Sequence, residues 1–141
     1  MKILRILFVC TGNSARSQMA EALVNAKGKG RIEARSAGSR PAAHVNPLAI
    51  ETLRHFQIPW SGRPPRSVEG LERERWDFVI TVCDRAKESC PVFPGHPTIA
   101  HWSIPDPADE ADFRAVFLDL SRRIDLLLAL PALAPESPIV K

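Results

Sequence analysis

Apolar residues along the chain fall into short runs typical of β-strands, separated by stretches with helical spacing. Residues 3–9 are rich in β-branched and aromatic side chains, which predicts a buried strand. Residues 31–36 alternate between polar and apolar side chains, which predicts a second strand that ends at an Ala-Gly pair. Residues 77–82 (DFVITV) are mainly apolar and predict a central third strand, and residues 98–102 predict a shorter fourth.

The stretches between these runs carry helix signals. Residues 17–26 have apolar side chains at helical spacing, and Asn46 followed by Pro47 predicts the start of a second helix. A Gly/Pro/Arg-rich loop is expected at residues 60–67, followed by a short polar helix at 68–76. A last long helix is predicted from apolar positions at helical spacing, namely Phe113, Val116, Phe117, Leu120, Ile124 and Leu127.

Alternating strands and helices predict an α/β fold. We expect a single domain over residues 1–130, with an open, four-stranded parallel sheet, right-handed crossovers and helices on both faces. Residues 131–141 are rich in proline and are expected to form a flexible tail.

Length and composition narrow the class of protein. The chain has 141 residues, of which 45% are hydrophobic and 25% charged, so neither disorder nor a coiled coil fits the whole chain. No apolar run reaches the roughly 18 residues of a membrane span, and the first ten residues lack a following small-residue cleavage site. We therefore expect a cytoplasmic, monomeric protein without a membrane partner.

Arginine dominates the positive charge. The net charge is +3, and 14 of the 19 cationic residues are arginine, which favours forked recognition of oxyanions. A genome that prefers arginine codons explains the bias about as well. The arginines are scattered and form no basic run, so no nucleic-acid partner is expected.

The segment CTGNSARS, from Cys10 to Ser17, joins the first strand to the first helix and is a candidate anion-binding loop. Its curled backbone would point successive N–H groups inward and, with the helix N-terminus, cradle a tetrahedral oxyanion. The residues that line this cradle are Thr11, Gly12, Asn13, Ser14, Ala15, Arg16 and Ser17.

Within this loop, specific roles follow from side-chain chemistry. Cys10 is expected to have a lowered pKa and to act as a nucleophile, and Arg16 to grip two oxyanion oxygens. Ser17 would donate a hydrogen bond to the thiolate, and Asn13 would hold the loop in shape. A structural strand–helix turn with a buried cysteine is the alternative.

Two further cysteines follow. Cys83 comes after the third strand as Cys10 comes after the first, and neighbouring strand ends fall within the Cα separation of roughly 4.4–6.8 Å that a disulfide needs. Cys90 lies seven residues later, which in a helix is about 10.5 Å of rise. A bond between Cys83 and Cys90 therefore requires that segment to unwind. Two incidental buried thiols are the alternative.

The run ILFVCTGNSARSQMAEAL resembles the opening of the thioredoxin-coupled arsenate reductases, which are built on the low-molecular-weight protein tyrosine phosphatase fold. The resemblance implies that Cys10 is the nucleophile, Arg16 the oxyanion clamp and Asp106 the general acid. It also implies that Cys83 attacks the Cys10 adduct and releases arsenite. Cys90 would then attack Cys83 and carry the disulfide to thioredoxin.

Classical members of this family bind potassium beside the loop, and Asn13, Glu21 and Ser36 occupy three of the ligand positions. The fourth position, usually a carboxylate, falls on Arg66, whose guanidinium would supply the positive charge and pair with Glu21. We therefore expect no cofactor and no potassium requirement. A zinc site of Cys83, Cys90, His96 and His101 is disfavoured because the spacing is not that of a zinc finger.

Two other functions remain open. A low-molecular-weight phosphatase, acting on phosphotyrosine or on small molecules, would need Cys10, Arg16 and Asp106 and nothing more. The chain contains no tyrosine, and Ala108, Asp109 and Glu110 follow Asp-Pro where phosphatases usually carry aromatic residues. A non-catalytic sensor of oxyanions or redox state is the other possibility.

Overall fold

A computed structural model describes residues 3–83 and 92–130. The elements in chain order are β1 (Leu4–Cys10), α1 (Arg16–Lys27), β2 (Ile32–Gly38), α2 (Pro47–His55), a 3₁₀ turn (Leu71–Arg73), β3 (Phe78–Thr81), β4 (Thr98–His101) and α3 (Glu110–Leu128).

The four strands form one parallel sheet with the order β2-β1-β3-β4. The predicted open α/β fold and its parallel sheet are confirmed, and β3 lies in the interior of the sheet as its apolar sequence indicated. Residues 6–10 of β1 are all buried. Because side chains alternate between the two faces of a strand, both faces of the sheet are covered along β1.

The three α-helices form in the predicted stretches, and α1 extends one residue beyond each end of the predicted range 17–26. The Asn46 side chain caps α2 by accepting a hydrogen bond from the Leu48 amide, and Pro47 occupies the first turn. Asp109 caps α3 in the same way through the Asp112 amide. The three helices contact one another and close a core with the sheet.

The prediction of a polar helix at residues 68–76 is wrong. Only a 3₁₀ turn forms, at Leu71–Arg73, because Gly70 just before it adopts the left-handed conformation with φ of 89°. The Trp76 indole N–H then donates to the Leu71 carbonyl at 2.7 Å and ties the turn to the core. Residues 131–141, the predicted tail, lie outside the described residues.

Candidate active site

The loop between β1 and α1 is held by hydrogen bonds on its outer side. Four of its carbonyl oxygens accept from backbone amides of residues 39–46, which we call the support segment. The pairs run from Ser39 to Cys10, Arg40 to Thr11, Ala42 to Gly12 and Asn46 to Ser14, at 2.8–3.0 Å. The fifth carbonyl, of Asn13, accepts from the Gln18 side chain at 3.2 Å.

This arrangement turns the loop amides inward. In a trans peptide the C=O of one residue and the N–H of the next point in opposite directions. Fixing the carbonyls of residues 10–14 outward therefore aims the amides of residues 11–15 at the concave side of the loop. Such a set of converging donors at a helix N-terminus binds a tetrahedral oxyanion.

The Cys10 sulfur lies at the base of this loop. It is 2.8 Å from the Ser17 hydroxyl and accepts a hydrogen bond from the Asn13 amide at 3.1 Å. Ser17 also accepts from the Asn13 side-chain nitrogen at 2.8 Å. Because that contact uses an acceptor site on the Ser17 oxygen, the hydroxyl proton remains available to the sulfur. The predicted support of Cys10 by Ser17 matches this geometry.

The expectation of a lowered pKa for Cys10 is wrong in this structure. Burial raises the pKa of the thiol, because the charged form is desolvated at the strand end. The hydrogen bonds from Ser17 and Asn13 lower that pKa, and neighbouring Cys83 raises it, but burial has the largest effect. The pKa of the Cys10 thiol in the free protein therefore lies above the ordinary value for a cysteine.

Asn13 fixes the shape of the loop with both its backbone and its side chain. It adopts the left-handed conformation with φ of 52° and is fully buried. Its side-chain oxygen accepts from the Arg66 backbone amide at 3.0 Å. Asparagine tolerates this conformation better than most residues, so its presence here agrees with the predicted structural role.

Arg16 and Asp106 lie together at the mouth of the loop. One guanidinium nitrogen of Arg16 donates to the Ile104 carbonyl at 2.8 Å, and another is 3.7 Å from the Asp106 carboxylate. The Asp106 side chain is 82% exposed, whereas that of Arg16 is 16% exposed. The acid is thus open to solvent and next to the arginine, and its role as general acid stays a prediction.

Cys83 approaches the same loop from the neighbouring strand. Strand β3 pairs directly with β1, and the Val82 amide extends the ladder by donating to the Val9 carbonyl at 2.9 Å. The Cys83 sulfur is 3.4 Å from the Thr11 hydroxyl, and both Cys10 and Cys83 are buried free thiols. The sheet therefore brings two of the three cysteines together. Cys90 lies outside the described residues.

The ion pair predicted for Arg66 is made by a different arginine. Glu21, which is buried, accepts a hydrogen bond from Ser36 at 2.8 Å and pairs with the Arg63 guanidinium at 3.0 Å. Arg66 contributes its backbone instead: its amide donates to the Asn13 side chain, and its carbonyl accepts from the Gly38 amide at 2.8 Å. The extended loop places residue 63 over Glu21, and sequence alignment across a loop with few fixed points cannot set this register.

Three parts of the site have weak sequence signals. The support segment has no periodic pattern, and Gln18 reads as one more helical residue. Gly38 ends β2 so close to the loop that a Cβ there would lie 2.5 Å from the Thr11 carbonyl oxygen. The one sequence signal for this close approach of β2 to the loop is the glycine at the end of the strand.

Across the described ranges, 3–83 and 92–130, no three His, Cys, Asp or Glu side chains cluster as metal ligands. Within the same ranges, no helix combines the length and apolar character that crossing a bilayer requires.

Comparison with known proteins identifies the family. Residues 5–136 match the model of the low molecular weight phosphotyrosine protein phosphatases. The chain belongs to this family. The resemblance inferred from the loop sequence is thereby confirmed.

Several relatives within the phosphatase family are arsenate reductases. Arsenate reductase 2 of Staphylococcus saprophyticus is 35% identical over 121 residues, which cover 84% of this chain and 92% of the relative. The crystal structure of arsenate reductase from Archaeoglobus fulgidus is 35% identical with a TM-score of 0.74, covering 87% of this chain and 98% of the other. The thioredoxin-dependent arsenate reductase of Corynebacterium glutamicum is 27% identical with a TM-score of 0.72, covering 89% of this chain and 60% of the other.

Proposed function

We propose that the protein is an enzyme that reduces arsenate to arsenite with thiols of its own chain. The observation that carries this proposal is that two buried free thiols, Cys10 and Cys83, reach the same anion-binding loop from adjacent strands. A phosphatase needs only the first of them. We also propose a monomer in a cytoplasmic setting, which would keep its thiols reduced.

In the first step, Cys10 attacks the arsenic of dihydrogen arsenate. A sulfur–arsenic bond forms, an arsenic–oxygen bond breaks, and the leaving oxygen departs as water with the thiol proton. The loop amides and Arg16 hold the remaining oxygens. The exposed carboxyl of Asp106, next to Arg16, is placed to pass the proton to the leaving oxygen.

In the second step, the Cys83 thiol attacks the Cys10 sulfur. A disulfide forms, the sulfur–arsenic bond breaks, and its electron pair and the thiol proton leave with arsenic as arsenite. Two thiols are oxidised and As(V) becomes As(III). The Thr11 hydroxyl, 3.4 Å from the Cys83 sulfur, is the group that would orient this attack.

In the third step, Cys90 attacks the Cys83 sulfur, which returns Cys10 to its thiol form and leaves a Cys83–Cys90 disulfide. Thioredoxin is the proposed reductant of that disulfide, since the related Corynebacterium enzyme is thioredoxin-dependent by name. The reduction consumes the thioredoxin dithiol and restores both cysteines.

A coupled assay tests the proposal. Reduced protein, arsenate, thioredoxin, thioredoxin reductase and NADPH are mixed, and NADPH consumption is followed. Cys10→Ser, Cys83→Ser and Cys90→Ser should each abolish turnover. Hydrolysis of p-nitrophenyl phosphate serves as the matched control, because it should be lost only in Cys10→Ser. Wild-type NADPH consumption in both Cys83→Ser and Cys90→Ser would exclude the relay.

Phosphatase activity is the second candidate, favoured by Arg16 and Asp106 standing together at the loop mouth. Arsenate and phosphate share charge and shape, so weak hydrolysis of small aryl phosphates is expected. If hydrolysis is fast and arsenate reduction is absent, the phosphatase assignment replaces the reductase.

We further propose that Arg63 takes the place of a potassium ion. Potassium fits poorly beside Glu21, because the Arg63 guanidinium already lies 3.0 Å from this carboxylate. Replacing NaCl with KCl at constant ionic strength should change wild-type turnover by less than about twofold, since the Glu21 charge is already balanced. A several-fold rise with potassium would contradict this proposal.

A further inference from the structure

The buried Gln18 side chain supports one point of the anion-binding loop that the support segment does not. Backbone amides of residues 39–46 hold the carbonyls of Cys10, Thr11, Gly12 and Ser14, but the Asn13 carbonyl accepts from the Gln18 amide nitrogen at 3.2 Å. That carbonyl shares a peptide plane with the Ser14 amide. Holding it outward therefore directs the Ser14 N–H into the cradle.

Trp60 determines which way the Gln18 amide faces. The Trp60 indole N–H lies 3.2 Å from the Gln18 side-chain oxygen. An indole N–H can only donate, so the oxygen of the amide must face Trp60 and the NH₂ group must face Asn13. The same NH₂ group lies 3.4 Å from the Arg63 carbonyl, which fixes it against the loop that carries Trp60.

The hydrogen bond from Gln18 to the Asn13 carbonyl matters because both residues are buried. Gln18 is 2% exposed and Asn13 is fully buried, so water cannot replace a lost donor at the Asn13 carbonyl. Asn13 also holds a left-handed backbone, which is costly for a residue other than glycine. Within the described ranges, the Asn13 carbonyl accepts a side-chain hydrogen bond from Gln18 alone, so the peptide between Asn13 and Ser14 loses this support when Gln18 is replaced.

We propose that Gln18 is a positioning residue for oxyanion binding, and that Trp60 sets its orientation. Gln18 does not touch the reacting atoms; it acts through the peptide between Asn13 and Ser14. The inference rests on the proposed function only in treating the loop as an oxyanion cradle. It further assigns the half-buried Trp60 as a reporter of that cradle, through a single intervening side chain.

Titration with inorganic phosphate tests the proposal, because phosphate occupies the cradle without being reduced. In Gln18→Met, which keeps the length of the side chain and removes its donors, the phosphate Kd should rise about tenfold, the usual effect of losing one buried hydrogen bond. Trp60→Phe keeps Gln18 and removes only the indole donor, so its Kd should rise by about two- to fivefold. Phosphate should shift Trp60 fluorescence in the wild type and not in Gln18→Met.

The matched control is Asn25→Leu. The Asn25 side chain also bonds to backbone, with the Ala34 amide and carbonyl at 2.8 and 3.1 Å, but it faces β2 rather than the loop. Asn25→Leu should therefore lower thermal stability and leave the phosphate Kd unchanged. If Gln18→Met does not fold, Trp60→Phe decides alone.

A phosphate Kd within twofold of wild type in the folded Gln18→Met and in Trp60→Phe overturns the proposal. A rise in phosphate Kd in Asn25→Leu equal to that in Gln18→Met also overturns the proposal. The loss of affinity would then result from lower stability and not from a displaced loop. If the wild type binds phosphate but fails to reduce arsenate, the proposed function fails while this inference stands.

Discussion

Cys10 shows how a few neighbouring atoms set the reactivity of one sulfur. Burial at the end of β1 raises the pKa of its thiol, whereas the Ser17 hydroxyl and the Asn13 amide lower it. The loop sequence indicates the donors, but it contains no measure of how deeply the sulfur is buried. The pKa of Cys10 is therefore raised, whereas the sequence predicted a lowered one.

This balance predicts the pH dependence of Cys10 alkylation. Iodoacetamide reacts with the thiolate, so the rate at Cys10, followed by peptide mass spectrometry, should still be rising at pH 9.0, the ordinary pKa of a cysteine thiol. Ser17→Ala should move the midpoint to higher pH, because it removes a hydrogen bond that lowers the pKa. Cys83→Ser should move it lower, because Cys83 raises the pKa.

A wild-type midpoint below pH 7 would contradict this prediction.

The raised pKa of Cys10 also makes the stability of the folded protein depend on pH. The neutral thiol is the favoured buried form, so its contribution to stability is present below the pKa of the unfolded chain. That contribution is lost as the pH rises through the raised pKa of the folded protein.

The ends of strands β1 and β2 form the platform on which the anion-binding loop rests. Gly38, the last residue of β2, pairs with Cys10, and a Cβ on Gly38 would lie 2.5 Å from the Thr11 carbonyl oxygen and 3.0 Å from the Asn13 amide nitrogen. Both neighbours are backbone atoms that hold the loop, so the clash cannot be relieved by rotating a side chain.

We therefore predict that Gly38→Ala weakens phosphate binding by at least about tenfold and lowers the free energy of unfolding by about 1–3 kcal/mol, the usual cost of overpacking. Isothermal titration and urea denaturation measure the two effects. Gly95→Ala is the control, because a Cβ there meets no atom of another described residue within 4 Å, apart from its chain neighbours. Wild-type phosphate affinity in Gly38→Ala would show that the loop does not depend on this close approach.

The start of α2 and the position of β3 were predictable from the sequence because their local signals are strong. The Asn46-Pro47 pair marked the start of α2, and the apolar run at residues 77–82 marked β3. The failure at residues 68–76 has an equally local cause, the left-handed Gly70. Spacing of apolar residues alone does not reveal that break.

The strand order of the whole sheet explains how one chain assembles the site. Because β1 lies between β2 and β3, its carboxyl end meets the support segment on one side and Cys83 on the other. Ligand sites in open parallel sheets lie at such carboxyl ends. Membership in the phosphatase family agrees with this architecture, and the second thiol at the loop is what favours a reductase.

Local residue patterns were sufficient for the strands, the main helices, the anion-binding loop and its cysteine, since each depends on neighbours within a few positions. Contacts between distant segments were not available from such patterns. The pairing of Glu21 with Arg63 instead of Arg66, the outward hold on the loop by residues 39–46 and the desolvation of Cys10 all depend on how loops pack in space. Packing of that kind follows from the fold as a whole, because burial and long-range hydrogen bonds arise only once the elements have come together.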